Sequence, residues 1–198
     1  MSEATSGYAA EADRLAVQYE SVTFEEVHAL VLHLLPPSGR ALDIGAGTGR
    51  DAAALADRGF AVTAVEPTAE LRAHGARLHA AKAIAWIDDS LPDLPVLAAG
   101  GERFDLVMLT AVLMHLDAGE RSRAMARLAA HLAPGGRLVI TLRHGPVPAG
   151  RRMFDVSGEE TLALAGAHGL AGLFSADRPD MFGRHGISWT VLALTLRA

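Results

Sequence analysis

Three glycines at alternate positions, Gly45, Gly47 and Gly49, follow the acid Asp43 in the run ALDIGAGTGR, and a second acid, Glu66, stands 21 residues beyond the first of them. Without a Cβ, glycine lets the backbone turn tightly and press against a ligand. A carboxylate at the later position accepts hydrogen bonds from two vicinal hydroxyls, as the acid of a dinucleotide site does for a ribose. Together these residues describe a place for a nucleoside-like molecule. Further along, His115 offers an imidazole whose charge changes near neutrality, suited to a general base. Arg143, His144, Arg151 and Arg152 offer donors to an anionic group. The nine histidines form no H-x-H or H-E-x-x-H pattern, so no metal site is expected.

Placing those residues requires a particular set of elements. Apolar runs at 41–44, 61–65, 84–87, 104–109, 137–142, 170–176 and 188–197 read as strands. Helical periodicity falls at about 48–58, 68–82, 118–132 and 158–168. Such alternation demands a parallel sheet with helices on both faces, and its ligand then lies beyond the carboxyl ends of the strands. The last two strands follow one another without a helix, which predicts a hairpin and one antiparallel strand. Pro134, Gly135 and Gly136 predict a sharp reversal just before the strand at 137–142. Ahead of the sheet, Leu15, Tyr19, Val27, Leu30, Val31 and Leu34 recur at helical spacing up to Pro36-Pro37, predicting one or two helices on which Tyr8 and Tyr19 close over the ligand.

Half of the 198 residues are hydrophobic, enough for one domain with a sizeable core, divided as a helical cap at 1–37 and a sheet core at 38–198. The net charge of −5 and the scattered basic residues give no cationic face, so nucleic acid and membrane surfaces are not expected partners. The absence of cysteine excludes disulfides, thiolate metal sites and a cysteine nucleophile. The polar N-terminus has no basic stretch followed by an apolar core, and no apolar run approaches the roughly 20 residues of a membrane span, so a soluble cytoplasmic protein is expected.

The spacing here is G-x-G-x-G, with Arg50 where a dinucleotide fingerprint has its third small residue. ALDIGAGTGR instead resembles motif I of the class I S-adenosylmethionine-dependent methyltransferases, hydrophobic-x-D/E-x-G-x-G-x-G, and the resemblance extends over about residues 38–198. It implies an α/β, Rossmann-like fold with a seven-stranded, mostly parallel sheet of order 3-2-1-4-5-7-6, strand 7 antiparallel and helices on both faces. It also implies S-adenosyl-L-methionine as cofactor and a methyl acceptor atom of O, N or S in a small molecule. Asp43, Gly45, Ala46, Gly47 and Gly49 would run beside the methionine and ribose, with Glu66 and Pro67 at the ribose hydroxyls. In WIDDSLP, Asp89 and Ser90 would meet the adenine, with Asp88 as the alternative register and Trp86 and Ile87 flanking the ring. Thr110 would lie beside the methionine half, and His115, Tyr19, Arg143 and His144 toward the acceptor. The N-P-P-Y tetrapeptide is absent where TAVLMH stands, and no large insertion separates the last strands, which favours a small molecule over a macromolecule. Two rivals remain: a non-catalytic S-adenosylmethionine-binding partner or regulatory subunit, and an NAD-dependent oxidoreductase. The chain is expected to be a monomer or homodimer.

Overall fold

The structure, a computed structural model, describes residues 7–197. Seven strands form one sheet: β1 (Gly39–Ile44), β2 (Phe60–Val65), β3 (Ile84–Ile87), β4 (Phe104–Thr110), β5 (Leu132–His144), β6 (Leu170–Pro179) and β7 (Ser188–Leu196). Their order is β3-β2-β1-β4-β5-β7-β6, with β7 antiparallel to both of its neighbours and the other pairs parallel. The order and the antiparallel strand are those the resemblance implies.

Strand sequences such as ALDI and LVMLT are buried on both faces, as a sheet covered on two sides requires. Period-two alternation divides their side chains. Leu42, Ile44, Val107, Leu109, Leu138 and Ile140 join one core. Ala41, Leu106, Met108, Val139, Val191 and Ala193 join the other. Over the first core lies α6 (Ala118–His131), which buries Arg121, Ala124, Met125 and Leu128 at helical spacing and starts on a capping box between Asp117 and Glu120. The second core is closed by α3 (Arg50–Asp57), whose Ala52 and Leu55 are fully buried. Asp43 and Thr110, by strand parity, share that second face, and the site is built there.

Ahead of the sheet come α1 (Ala12–Glu20) and the short α2 (Phe24–His28), the latter opened by a capping box of Thr23 and Glu26. Helix α1 packs on α4 (Ala69–Leu78) through Leu15 and Leu71. Several boundaries differ from the expectation. Helix α4 stops at Leu78, four residues short of 82. A short helix, α5 (Pro95–Gly100), occupies a stretch with no periodic pattern, started by Pro95 in the first turn. Pro134, Gly135 and Gly136 do not form a separate reversal before β5. They make an irregularity inside it, where Phe104 pairs with Leu132 but Leu106 with Arg137, and Gly135 adopts φ 74° to carry the extra residues. Helix α7 (Gly158–Ala167) leads into the β6–β7 hairpin. Among the described residues, no helix is long and apolar enough to cross a membrane.

Candidate active site

A cavity of about 550 Å3 opens at the carboxyl ends of β1, β2 and β4, beside the switch in strand order between β1 and β4. That is where an open α/β sheet binds its ligand, and the volume lies in the range of small-molecule sites. Gly45, Ala46 and Gly47 form its floor, with Tyr8 and Tyr19 from the leading segment over it.

The glycines are required there by geometry. Gly45 and Gly47 adopt φ 69° and 58°, a region that costs other residues strain. A Cβ on Gly45 would lie 2.5 Å from Val112, and one on Gly47 would lie 3.3 Å from the Tyr19 ring. Gly49 plays another part. At φ 82° it caps α3, and its bare face receives the Trp86 indole at 2.7 Å from where a Cβ would stand, so it supports the loop from behind the cavity. Trp86 accordingly packs between loop and α4 and not along a ligand.

The loop's amides are largely consumed within the protein. Gly45 and Ala46 donate to the Val65 carbonyl at 2.8 and 3.0 Å, Gly49 to the Ala46 carbonyl at 2.8 Å, and Gly47 to Glu66 Oε2 at 2.8 Å. A phosphate cradle works the other way, offering its amides to the anion. This loop supplies shape and close approach.

Glu66, buried at the end of β2, holds Gly47 N–H with one oxygen and Thr68 N–H with the other, both at 2.8 Å. Burial raises its pKa against these bonds. Each oxygen keeps a second lone pair for a hydroxyl donor on the cavity side. Pro67 follows it in the wall. The two neighbouring acids after β3 separate cleanly. Asp89 is buried and lines the cavity, accepting from Ser90 N–H and from Leu97 N–H, both at 2.9 Å, the latter in the first turn of α5. Asp88 points outward, pairs with Arg72 at 2.9 Å, and does not line the cavity. Its candidacy as an adenine contact is therefore withdrawn in favour of Asp89 and Ser90.

Below the floor sits a buried polar network in which His28 and Asp51, unmarked by any motif in the sequence, join Thr110. His28 Nε2 donates to Asp51 Oδ2 at 2.8 Å, and Thr110 Oγ1 donates to the same oxygen at 2.7 Å. Burial opposes the charge on Asp51, but His28 and Arg50 outweigh it and hold the carboxyl below its ordinary range. The Asp43 pKa is raised well above its ordinary value, by burial first and then by Asp51, and its Oδ2 has no partner. A buried acid with an unmet atom on a cavity wall is a natural receiver for a ligand's polar group.

His115 ends a short 3-10 turn after β4 and is nine-tenths buried. Its Nδ1 donates to the Arg152 carbonyl at 2.7 Å, so in the neutral ring Nε2 accepts from the Tyr8 hydroxyl at 2.9 Å. Burial lowers its pKa, the Arg152 carbonyl opposes that, and the Arg151 and Arg143 charges add to the lowering. The Tyr8 ring meets His115 edge-on and carries Arg151 over its face at 3.7 Å. Tyr19 and Arg143 also line the cavity. His144 does not: strand parity turns it away, onto Thr190 Oγ1 at 2.8 Å, and its substrate role is withdrawn. Arg152 is held by Asp117 and Glu120, and Arg151 by Glu11.

A seven-stranded sheet of this order, with a glycine-loop cavity at its switch point, defines the methyltransferase class of Rossmann-like proteins. A family model described as a methyltransferase domain matches residues 17–177, and the chain belongs to that family. It is 32% identical over 100 residues to an uncharacterized methyltransferase of Geobacillus kaustophilus, covering 50% of this chain and 44% of that one. It is 38% identical over 105 residues to a ubiquinone biosynthesis O-methyltransferase of Caulobacter sp. (strain K31), covering 51% and 39%. The matched stretch thus spans less than half the length of either curated relative. Among solved structures, the 1,6-didemethyltoxoflavin-N1-methyltransferase of Burkholderia thailandensis shares the fold at a TM-score of 0.73 and 23% identity, over 96% of this chain and 86% of that one.

Proposed function

We propose that the chain is an S-adenosylmethionine-dependent methyltransferase acting on an O, N or S atom of a small molecule. The observation that carries this reading is the internal bonding of the Gly45, Ala46, Gly47 and Gly49 amides beside the buried Glu66. Such a loop suits a nucleoside without a pyrophosphate and leaves a dinucleotide little to hold its phosphates. The residues present fit the cofactor: Gly45 and Gly47 allow close approach, Glu66 offers lone pairs to ribose hydroxyls, Asp89 and Ser90 face the base, and Asp43 offers its unmet atom. The Burkholderia thailandensis N1-methyltransferase structure holds S-adenosylhomocysteine, which supports the same cofactor here.

When bound, the cofactor supplies an activated methyl: an acceptor lone pair forms the new bond to carbon as the carbon–sulfur bond breaks, leaving S-adenosylhomocysteine. The chain's part is alignment and exclusion of water. Tyr8 and Tyr19 close the cavity from above, and Val112 and Thr110 shape its wall beside β4. His115 is held neutral, with Nδ1–H fixed on the Arg152 carbonyl, so Nε2 is the atom able to take a proton. Tyr8 bonds that atom, so a proton leaving an acceptor would reach His115 through the Tyr8 hydroxyl or after Tyr8 moves aside.

Calorimetric titration with S-adenosylmethionine, S-adenosylhomocysteine and NAD tests the proposal. Binding of the first two without NAD is expected, and binding of NAD alone would overturn it. Binding without turnover on a broad acceptor panel would favour the non-catalytic partner instead.

A further inference from the structure

Three strands bring one row of side chains to the cavity's far end. Arg143 of β5 pairs directly with Trp189 of β7, and Trp189 pairs with Arg178 of β6. Directly opposed residues of antiparallel strands project from the same face, so Arg143 and Arg178 stand on either side of Trp189 in one row. All three line the cavity. Arg178 lies over the Trp189 ring at 5.4 Å.

The charges in this corner do not balance. The nearby acid, Asp180, is fully used: Arg184 binds both of its oxygens, at 2.6 and 2.9 Å, and Trp189 Nε1 donates to it at 2.9 Å. Arg143 keeps a buried Nη1 without a partner, and Arg178 a buried Nε, its Nη1 reaching only the Pro179 carbonyl at 3.4 Å. Buried donors on a cation are costly to leave unmet. Burial, with the Arg184 charge beside it, lowers the Arg143 pKa against the opposing charge of Asp180.

We propose that Arg143 and Arg178 bind the carboxylate of a flat organic acid whose ring lies on Trp189, and that this acid is the methyl acceptor. Guanidinium forks match a planar carboxylate, and the indole between them supplies the surface for a ring. This inference rests on the methyltransferase reading for the acceptor's role, but the binding place stands on the Arg143–Trp189–Arg178 row itself.

The chain has two tryptophans, so two indole N–H signals are expected by NMR, and Trp189→Phe identifies the one in this row. Benzoate, 4-hydroxybenzoate and indole-3-carboxylate are titrated beside their neutral carboxamides, with and without S-adenosylhomocysteine. The acids are expected to move the Trp189 signal and to bind about tenfold or more tightly than the amides. Arg143→Gln and Arg178→Gln should each remove that preference while leaving S-adenosylhomocysteine affinity unchanged. Equal binding of acids and amides, or no movement of the Trp189 signal up to about 10 mM acid, overturns the proposal. So does a fall in S-adenosylhomocysteine affinity in either arginine variant, which would assign these cations to the cofactor's own carboxylate. The comparison of acid with amide in the unmutated protein needs no variant to fold. If that protein fails to bind S-adenosylhomocysteine, the methyltransferase reading and the acceptor role fall with it, and the titrations without it still decide whether the row binds the acid.

Discussion

Glu66 carries two duties, tying the loop at Gly47 to the start of α4 at Thr68 and presenting a carboxylate to the cavity. Glu66→Ala is expected to weaken S-adenosylhomocysteine binding by about 1 to 3 kcal/mol, measured by calorimetry, and an unchanged affinity would reject its ribose role. His115 is controlled by a different balance. Its folded pKa lies below the ordinary histidine value, so the unfolded chain takes up a proton first as the pH drops. The contribution of His115 is therefore fully present above about pH 6.5 and is lost as the pH falls through the folded value. Thermal melts between pH 5 and 8 should show this acid-side loss, and His115→Gln should flatten it. A flat wild-type profile would mean that the buried ring is not held neutral. Of these residues, the glycines and Glu66 were legible from type and spacing alone. Asp88 and Asp89 were not separable, because adjacent acids differ only in which one the start of α5 buries, and no sequence pattern marks that helix beyond Pro95.

At the scale of elements, the loop is braced by a helix it never names in sequence. Gly75 lies on α4 with its bare face against the Trp86 indole and 2.8 Å, at a built Cβ, from the Thr48 carbonyl. In an exposed helix interior, glycine to alanine stabilises by about 1 kcal/mol. Here the sign should reverse: Gly75→Ala is expected to destabilise by about 1 to 3 kcal/mol, since the added methyl must displace an indole wedged under Gly49. Chemical denaturation checks it, and Trp86→Leu should recover part of the loss in the double variant. Non-additivity of that kind is expected only of residues in contact. The strands and their order were legible because buried apolar runs and the final pair without a helix leave few arrangements. The Arg143–Trp189–Arg178 row was not, because Arg178 joins it only through the hairpin register, and β6 runs on to Pro179, beyond the apolar stretch that marked the strand.

The cavity lies between two layers, the sheet's carboxyl edge below and the α1 segment above, whose apolar contact with the rest is a small cluster of Ala12, Leu15 and Leu71, supplemented by polar contacts of Tyr8 with His115, Glu11 with Arg151 and Glu20 with Thr48. A small apolar contact gives a segment a low local opening free energy. Tyr8 and Tyr19 extend that segment over the cavity, where a bound nucleoside would add contacts to both layers at once. Ligand binding here has two measurable consequences, of which the second separates this arrangement from a rigid pocket. Saturating S-adenosylhomocysteine, at about 100 times its dissociation constant, should stabilise the fold by about 2.7 kcal/mol and raise the melting temperature by roughly 5 to 11 °C. Hydrogen exchange should slow most in α1 and in the loop after β1, while β4 and β5, already buried, change little. A rise in melting temperature with uniform protection would mean that the ligand stabilises a preformed cavity. Protection confined to the loop would mean that the leading segment plays no part in closing it. NAD at the same concentration should move neither quantity, because the amides that would hold its phosphates are already bonded to Val65, Ala46 and Glu66.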